Sequence, residues 1–307
     1  SAAVSEKIFA KEIYRRKPAI HKYARRKIMI GITSDSTCDL NRFGEERGIG
    51  IMPLNVILDS KLYKDGVDIF PADIFAFVEK TKMLPKTSAP AIEDFSEFFS
   101  KQLEAADELI HFSISAKASV SHSCAVAAAK EFGGRVRVVD SKALSTGQGL
   151  LVLKAADFRD AGMSAAEIEE EINRLRDRVN TSFVPDRLDY LYKGGRCSRM
   201  EMYGANILKI HPLIDMQDGQ LGVKKKYRGK MTMCIRSYIE DLHKEYTSYD
   251  KTRCFVTHSN ADPELVALAK DMVASLFDFR EIDETVAGSV ITGHCGRNTL
   301  GVLFIHD

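Results

Sequence analysis

The feature that most constrains the fold is an alternation of strand-length and helix-length segments between residues 28 and 180. Short apolar runs predict strands, and longer segments with apolar residues three and four positions apart predict helices. The predicted strands are Ile28–Thr33, Glu108–Ile114 and Arg135–Val139. The predicted helices are Pro71–Lys80, Asp94–Leu103, Ser121–Glu131, Thr146–Asp160 and Ser164–Val179, and a further helix is predicted to start within Ser34–Leu40, which is rich in capping residues. Because such alternation builds a parallel sheet covered on both faces, we expect a Rossmann-like α/β domain at residues 28–180, with a small insertion at about 59–71.

The pattern changes after residue 181. Thr181–Val184 predicts a strand, and Gln217–Gln220 contains an Asp-Gly turn of the kind that joins two hairpin strands. Closing strands are predicted at Ser289–Thr292 and Thr299–Ile305. Hairpin and βα elements occur together in this half, so we expect a second, α+β domain at residues 181–307.

Charge is balanced over the whole chain but not along it. The chain has 44 Lys and Arg against 43 Asp and Glu, and a net charge of +1 gives no indication of nucleic-acid binding. Residues 1–27 nevertheless carry nine basic and two acidic residues, a net +7. This basic N-terminal extension lacks the apolar region of a signal peptide, so we interpret it as solvated. The alternative is a peripheral arm on anionic lipid, which would make the protein a membrane-surface scaffold.

The sequence contains none of the common motifs of nucleotide and metal enzymes. There is no G-x-x-x-x-G-K-[ST] loop, no G-x-G-x-x-G after the first strand, no H-E-x-x-H and no G-x-S-x-G. The six cysteines are scattered without a C-x-x-C pair, which indicates reduced thiols and a cytoplasmic protein. Cys254, His258, His294 and Cys295 could in principle meet around a metal, but their spacing is not diagnostic. We therefore expect no cofactor and no metal.

Hydroxyl-rich loops at predicted strand-to-helix junctions are the main candidate for a binding site. They are Thr33–Asp39, Lys86–Pro90, Ser113–Ser123 and Asp140-Ser141. Ligands of open α/β sheets bind at the carboxyl ends of the strands, where hydroxyls and helix N–H groups can hold a small anion. His294, in a predicted late loop, is a further donor to that anion. Two alternatives stay open: simple helix caps, or a hydrolase triad of Ser119, His294 and Asp35.

Two basic segments are candidate contacts for a phosphate or an acidic partner. In Lys193–Arg196, paired glycines allow a tight turn from which Arg196 would project. Its guanidinium suits bidentate contact with phosphate or carboxylate. Lys224–Lys226 and Arg228–Lys230 form a second basic cluster, which by itself would be a solvated face of the hairpin.

In their order along the chain, these motifs resemble those of the DegV family of fatty-acid-binding proteins. The matching segments are Thr33–Ser36, Pro53-Leu54, Asp65–Val67, Lys86–Pro90, Ser115, Ser119–Ser121, Asp140–Lys142, Leu188–Arg196, Lys209–Pro212, Arg228–Lys230 and His294. Each motif is weak by itself, whereas the ordered series is specific. It runs from about Met29 to Asp307, which is nearly the whole chain.

The resemblance implies a two-domain protein that holds one long-chain fatty acid in an apolar tunnel between its domains. In such systems the protein has no catalytic residues of its own and is the acyl-carrying subunit of a fatty acid kinase. A separate ATP-binding subunit phosphorylates the bound carboxyl group to an acyl phosphate. Carried over by motif, Thr87 and Ser119 look like carboxylate ligands, with Ser88 and Ser121 beside them, and His294 looks like a third polar contact.

The resemblance also assigns Arg196 and Arg228 as partner-facing or phosphate-facing arginines. The chain departs from the family pattern at two places. Ala118–Ser121 stands where Leu-Ser-Gly-Thr is usual, and Cys295–Asn298 stands where Gly-Pro-Gly usually follows the histidine. The alternative function is a stand-alone acyl or lipid hydrolase that uses Ser119 and the histidine at position 294. Phenylalanines at helical spacing within Asp94–Leu103 are interpreted as ordinary core.

Overall fold

The computed structural model describes residues 28–195 and 210–307. The strands are β1 (Ile30–Asp35), β2 (Gly50–Met52), β3 (Asn55–Leu58), β4 (Lys61–Lys64), β5 (Lys86–Ser88), β6 (Glu108–Ser113), β7 (Val136–Asp140), β8 (Val179–Asn180), β9 (Ser182–Val184), β10 (Ile210–Gln217), β11 (Gln220–Arg228), β12 (Arg253–Ser259), β13 (Glu281–Val286) and β14 (Thr299–Ile305). The helices are α1 (Arg42–Glu46), α2 (Pro71–Thr81), α3 (Ile92–Gln102), α4 (Ser121–Ala129), α5 (Thr146–Asp160), α6 (Ala165–Leu175), α7 (Asp189–Lys193), α8 (Met231–Glu245), α9 (Pro263–Leu276) and α10 (Ser289–Cys295).

The first half is built on a parallel sheet with the strand order β2-β1-β6-β7. Its central strands are covered on both faces, since β1 is buried from Ile32 to Asp35 and β6 from Leu109 to Ser113. Helices α3 and α4 share an apolar cluster with one face, and α5 and α6 share a cluster with the other. The α/β architecture predicted from the alternation is confirmed. Phe95 and Phe99 lie in the first of these clusters, as core residues.

The second half contains a mixed sheet with the order β11-β10-β9-β14-β12-β13, and β8 pairs with β14. β12 and β13 are parallel, whereas the other neighbours are antiparallel. β10 and β11 form the predicted hairpin around Asp218 and Gly219, both of which have positive φ. Helices α8 and α9 share an apolar cluster with β12 and β14, which confirms the α+β character of this half.

Helix α5 lies between the two sheets. Residues 146–153 of this helix are all buried, and the helix contacts both β1 and β14. A helix packed on two sides has no solvent stripe, so it lacks the usual amphipathic pattern. Gly149 allows this packing, because a Cβ there would lie 2.7 Å from the carbonyl oxygen of Cys38. The apolar cluster around α5 also includes Phe255 and Leu303, which joins the two halves.

Three local predictions are wrong. Ser289–Thr292, predicted as a strand, is the first part of helix α10. The segment after Thr33 forms only a 3-10 turn, Ser36–Cys38, before α1. Lys86–Ser88, predicted as a loop, is strand β5 of a small antiparallel sheet with the order β4-β3-β5. In each case contacts from distant segments outweigh the local preference of the chain.

Candidate functional site

Helix α10 begins at two buried carboxyl groups that come from distant loops. The backbone N–H of Gly288 donates to Asp39 Oδ1, and that of Ser289 donates to Asp65 Oδ1, both at 2.8 Å. These bonds satisfy donors that a helix leaves unpaired at its N-terminus. Burial raises the pKa of Asp65, and burial raises the pKa of Asp39 to about 8. This anchoring places His294 in the last turn of a helix rather than in the predicted loop.

His294 meets Thr87 across the end of the small sheet. Thr87 Oγ1 lies 2.9 Å from His294 Nε2, and both side chains are half-buried. Two glycines permit the approach. A Cβ on Gly293 would lie 2.9 Å from Pro85 Cγ, and a Cβ on Gly194 would lie 2.5 Å from His294 Nδ1. Gly194, the first glycine of the pair noticed in the sequence, thus has a packing role, because it makes room for the histidine ring.

The loop before α4 supplies a second hydroxyl. Ser119 Oγ accepts a hydrogen bond from the backbone N–H of Ser121 at 3.2 Å. Ser121 itself is fully buried, and its Oγ has no hydrogen-bond partner among the described residues. Val120, where the family pattern has glycine, has φ −74° and ψ −1°, an ordinary backbone conformation for valine. The substitution therefore causes no backbone strain here.

These segments surround a cavity of about 780 Å³, which we call the main cavity. Its polar lining includes Thr87, Ser88, Ser119, His294 and Lys117. Its apolar lining includes Ile114, Leu144, Phe183, Leu191 and Ile291. Four of the five predicted ligand residues thus lie at one cavity, and the side chain of Ser121 does not line it. A cavity with hydroxyls beside an apolar wall fits a molecule with one polar end and an apolar body.

The tip of the β10–β11 hairpin covers the main cavity from the second half of the molecule. Asp218 forms ion pairs with Lys117 at 2.6 Å and Lys142 at 3.3 Å. Ser115 Oγ donates to the carbonyl oxygen of Gly219 at 2.6 Å. The sequence analysis did not identify this contact as part of the site. Its only local signal is the Asp-Gly turn, which does not show what the turn touches.

The alternative of a hydrolase triad is not assembled around Asp35. Its Oδ1 accepts from Thr37 and Gln148, and its Oδ2 accepts from the backbone N–H of Ile114. Burial raises the pKa of this carboxyl group. Because both oxygens are taken by other donors, Asp35 is not the group that orients His294 as a triad would require.

Of the two arginines predicted to face a partner or a phosphate, the structure describes one. Arg228 is exposed at the end of β11, opposite Ile210, and does not line the main cavity. Arg196 lies outside the described residues. In the neighbouring basic cluster, Lys225 pairs with Asp241 and Lys224 pairs with Glu245, so acidic partners offset part of its charge.

Arg297, which departs from the family pattern after His294, lies with its guanidinium 4.5 Å from the ring centroid of Phe75. This cation–π contact explains the position of the Arg297 side chain. No cluster of potential metal ligands occurs within residues 28–195 and 210–307. Over the same residues, no helix combines the length and apolar character needed to cross a bilayer.

Comparisons with known proteins give one consistent family. A family profile described as an uncharacterised protein of the DegV family matches residues 29–307. A DegV domain-containing protein of Deinococcus radiodurans is 30% identical over 274 residues, covering 89% of this chain and 97% of that protein.

Solved structures agree with this match. A DegV family protein from Thermus thermophilus, described by its fatty acid binding, has a TM-score of 0.84 and 29% identity, covering 91% of this chain and 100% of that one. A protein from Eubacterium ventriosum, described as stearic-acid-binding, has a TM-score of 0.78 and 26% identity, covering 91% of this chain and 98% of that one.

Proposed function

The chain belongs to the DegV family, and on this basis we propose that it binds one long-chain fatty acid in the main cavity. Thr87 and Ser119 hold the carboxylate, with Ser88 beside them. His294 positions Thr87 at the same head group, and the apolar wall takes the acyl chain. The observation that carries the proposal is the convergence of these side chains on one cavity that also has an apolar wall. Ser121 contributes its backbone N–H, which fixes Ser119.

The hydrogen bonds around the hydroxyls favour an anion. Ser119 Oγ already accepts from the N–H of Ser121, and Ser88 Oγ accepts from Nδ2 of Asn55 at 3.4 Å. An oxygen that accepts a hydrogen bond keeps its own O–H for another acceptor. With the proton of His294 on Nε2, Thr87 Oγ1 accepts from His294 and keeps its own O–H. The hydroxyls of Thr87, Ser88 and Ser119 are then three neutral donors for one carboxylate, which lowers the cost of removing that charge from water.

The acyl chain supplies most of the affinity. Each buried CH₂ contributes about 0.8 kcal/mol, so a chain of roughly 16 carbons gains on the order of 12 kcal/mol before costs. Association and ordering take back ~4–15 kcal/mol. The hydroxyls therefore orient the carboxyl group and offset its desolvation, while the apolar wall holds the ligand.

The proposal extends to a partner subunit. The sequence has no nucleotide-binding motif of its own, and uncharged donors leave a carboxylate oxygen nucleophilic where an arginine clamp would weaken it. We propose that the protein is a cytoplasmic, non-catalytic subunit whose bound carboxyl group a separate ATP-dependent kinase phosphorylates to an acyl phosphate. Arg228, exposed outside the main cavity, and Arg196 face that partner or the phosphoryl product.

Native mass spectrometry tests the binding proposal directly. The delipidated chain mixed with palmitate should gain the mass of one fatty acid. Ser119→Ala should weaken binding about tenfold or more, because a hydrogen bond to a charged group contributes ~1.5–3 kcal/mol. Ser121→Ala is the matched control and should bind as the wild type does, since it keeps the backbone N–H. No added mass on the wild-type chain would refute the proposal.

Trapping with hydroxylamine tests the partner. The chain with palmitate and ATP alone should yield no acyl hydroxamate, and addition of an ATP-binding fatty acid kinase subunit should yield it. Arg228→Ala should lower this yield and leave palmitate affinity unchanged. An equal hydroxamate yield without the added subunit would instead make the chain an enzyme in its own right.

A further inference from the structure

The tip of the β10–β11 hairpin, Asp218-Gly219, meets the first half of the molecule at one buried hydrogen bond. The hydroxyl of Ser115 donates to the carbonyl oxygen of Gly219 at 2.6 Å, between residues 104 positions apart in the chain. Ser115 is fully buried, whereas the neighbouring ion pair of Lys117 with Asp218 joins two exposed side chains. Exposed ion pairs contribute little, so the buried hydrogen bond is the contact that fixes the tip.

The turn at the tip has the backbone that this close approach requires. Asp218 and Gly219 have φ of 47° and 78°, and Gln217 pairs with Gln220. A two-residue turn with two positive φ angles is the type that hairpins prefer. A Cβ on Gly219 would lie 2.7 Å from Ser115 Oγ. A residue with a side chain at position 219 would therefore displace the hydroxyl of Ser115.

Ser115 also organises the turn that ends at Ser119. Its hydroxyl oxygen accepts from the backbone N–H of Lys117 at 3.3 Å. Its carbonyl oxygen accepts from the backbone N–H groups of Ala118 and Ser119, at 2.9 and 3.1 Å. A serine hydroxyl that bonds to the backbone two residues ahead holds a turn in shape. The position of Ser119 therefore depends on the orientation of Ser115, which the tip fixes from the other half of the molecule.

The bond between Ser115 and Gly219 lies behind the wall of the main cavity. Neither residue lines the cavity, although their neighbours do. Ile114 and Ala116 line it beside Ser115, and Asp218 lines it beside Gly219. Ser115 can therefore act on a ligand only by placing a neighbouring side chain.

We propose that Ser115 is a positioning residue that couples docking of the hairpin tip to placement of the Ser119 hydroxyl for the carboxylate. This inference rests on the proposed function. With the tip docked, the hydroxyl of Ser115 donates to Gly219 and accepts from Lys117, so the turn is fixed before a ligand arrives. With the tip displaced, that hydroxyl turns to another acceptor and the turn loses its support. Such coupling is reciprocal, so a bound carboxylate stabilises the docked tip.

Ser115→Ala tests the proposal with two ligands that share one acyl chain. Dissociation constants would be measured by calorimetric titration for palmitate and for methyl palmitate, which carries no charge. Affinity for palmitate should fall about fivefold, because the hydroxyl of Ser119 is still present but less well placed. Affinity for methyl palmitate should stay within about twofold, since it lacks the charge that strengthens the hydrogen bond. An equal loss for both ligands would mean that Ser115 only maintains the shape of the cavity, and would contradict the proposal.

Gly219→Ala tests the same contact from the hairpin. It keeps the hydroxyl of Ser115 but places a methyl group against it, so palmitate affinity should again fall about fivefold. Gly134→Ala is the matched control and should bind as the wild type does. Its φ of 85° imposes a similar backbone strain, while its added Cβ meets nothing within 4 Å. In the Ser115→Ala background the collision with the hydroxyl is gone, so Gly219→Ala should cost no more than about twofold further. Full additivity of the two losses would contradict the coupling.

The outcomes separate this inference from the proposed function. If Ser119→Ala weakens palmitate binding and Ser115→Ala does not, the inference fails and the proposed function stands. A wild type that binds no palmitate removes both. If Ser115→Ala does not fold in a thermal melt, Gly219→Ala and its control decide. A loss for palmitate but not for methyl palmitate then supports the coupling, and a palmitate affinity equal to that of the wild type contradicts it.

Discussion

Among residues 28–195 and 210–307, two threonine–histidine pairs can be compared, and they differ in access rather than in chemistry. Thr33 Oγ1 lies 3.0 Å from His111 Nδ1, where β1 and β6 pair side by side. Thr87 Oγ1 lies 2.9 Å from His294 Nε2 at the main cavity. We call these the sealed pair and the open pair. Each joins segments far apart in the chain, by 78 residues in the first and 207 in the second.

The surroundings decide what each pair can do. Thr33 and His111 are fully buried, and the rings of Phe95, Phe98 and Phe99 surround His111 at centroid distances of 5.2–6.2 Å. Burial lowers the pKa of His111 to about 3, so its ring stays neutral and packs as part of the core. The open pair shares its cavity with Ser88 and Ser119. A threonine–histidine hydrogen bond is therefore not by itself a binding site, and access to a ligand makes it one.

The largest effect that separates the pairs is acid sensitivity of the sealed one. An unfolded histidine has a pKa near 6.5, above the value of about 3 for His111 in the fold. The unfolded state therefore binds more protons between these values, and the stability from His111 is complete above pH 6.5 and is lost as pH falls towards 3. The loss should be on the order of 3–5 kcal/mol, measured by urea unfolding across this range.

His111→Gln should flatten this acid slope, because the substituted side chain does not titrate. His294→Gln is the matched control and should leave the slope as in the wild type. If both variants keep the slope, groups other than the sealed pair cause the acid sensitivity.

Asp39, which anchors the helix of the open pair, should give the opposite dependence. Burial raises the pKa of Asp39 to about 8, so the folded state holds a proton that the unfolded state releases near pH 4. Stability from this group is present below pH 4 and is lost as pH rises through about 8. Asp39→Asn should reduce the loss of unfolding free energy between pH 5 and pH 9 by a few kcal/mol. An unchanged loss in the variant would mean that Asp39 does not titrate in this range.

Gly194→Ala should disturb the open pair. The backbone of Gly194 has φ −70°, which alanine can adopt, but the added Cβ would lie 2.5 Å from His294 Nδ1 and 2.9 Å from the carbonyl oxygen of Tyr190. Displacing the ring should weaken palmitate binding about tenfold, a loss of ~1.4 kcal/mol. Gly44→Ala is the control, because the nearest atom to its added Cβ is 3.8 Å away. Calorimetric titration would measure both, and equal affinities would show that the ring position is unimportant.

The smallest expected effect concerns the hairpin tip over the open pair. Lys117→Ala removes one exposed ion pair to Asp218, and such pairs contribute ~0–1 kcal/mol. Palmitate should dissociate no more than about fivefold faster, and 0.5 M salt should reduce the difference from the wild type. Stopped-flow measurement of release checks this. A difference that persists in high salt would mean that Lys117 acts by shape rather than charge.

The sequence predicts most of the fold because local patterns determine its long elements. Helix α5 has the predicted bounds, Thr146–Asp160, and β6 begins at the predicted Glu108. Helix α10 was missed because Ser289–Thr292 contains β-branched residues that favour a strand. Its helical start depends on Asp39 and Asp65, which are 249 and 224 residues away from their partners. No local pattern carries that information.

In the candidate site, too, the sequence predicts which residues take part but not how distant segments pack around them. The order of motifs predicts Thr87, Ser119 and His294 as ligands, and all three line the main cavity. The sequence could not show that Ser121 turns its hydroxyl away while its N–H supports Ser119. It could not show the hairpin contact of Asp218 either, because that contact depends on the packing of distant segments.

The most direct test compares the two pairs by the same NMR measurement on three proteins. Palmitate labelled with ¹³C at the carboxyl carbon would be bound to the wild type, to Thr87→Val and to Thr33→Val, and the carboxyl resonance recorded by NMR. The account predicts one bound resonance in the wild type, a clear shift or loss of it in Thr87→Val, and an unchanged position in Thr33→Val. A resonance that is the same in Thr87→Val as in the wild type would contradict the placement of the carboxylate at the open pair.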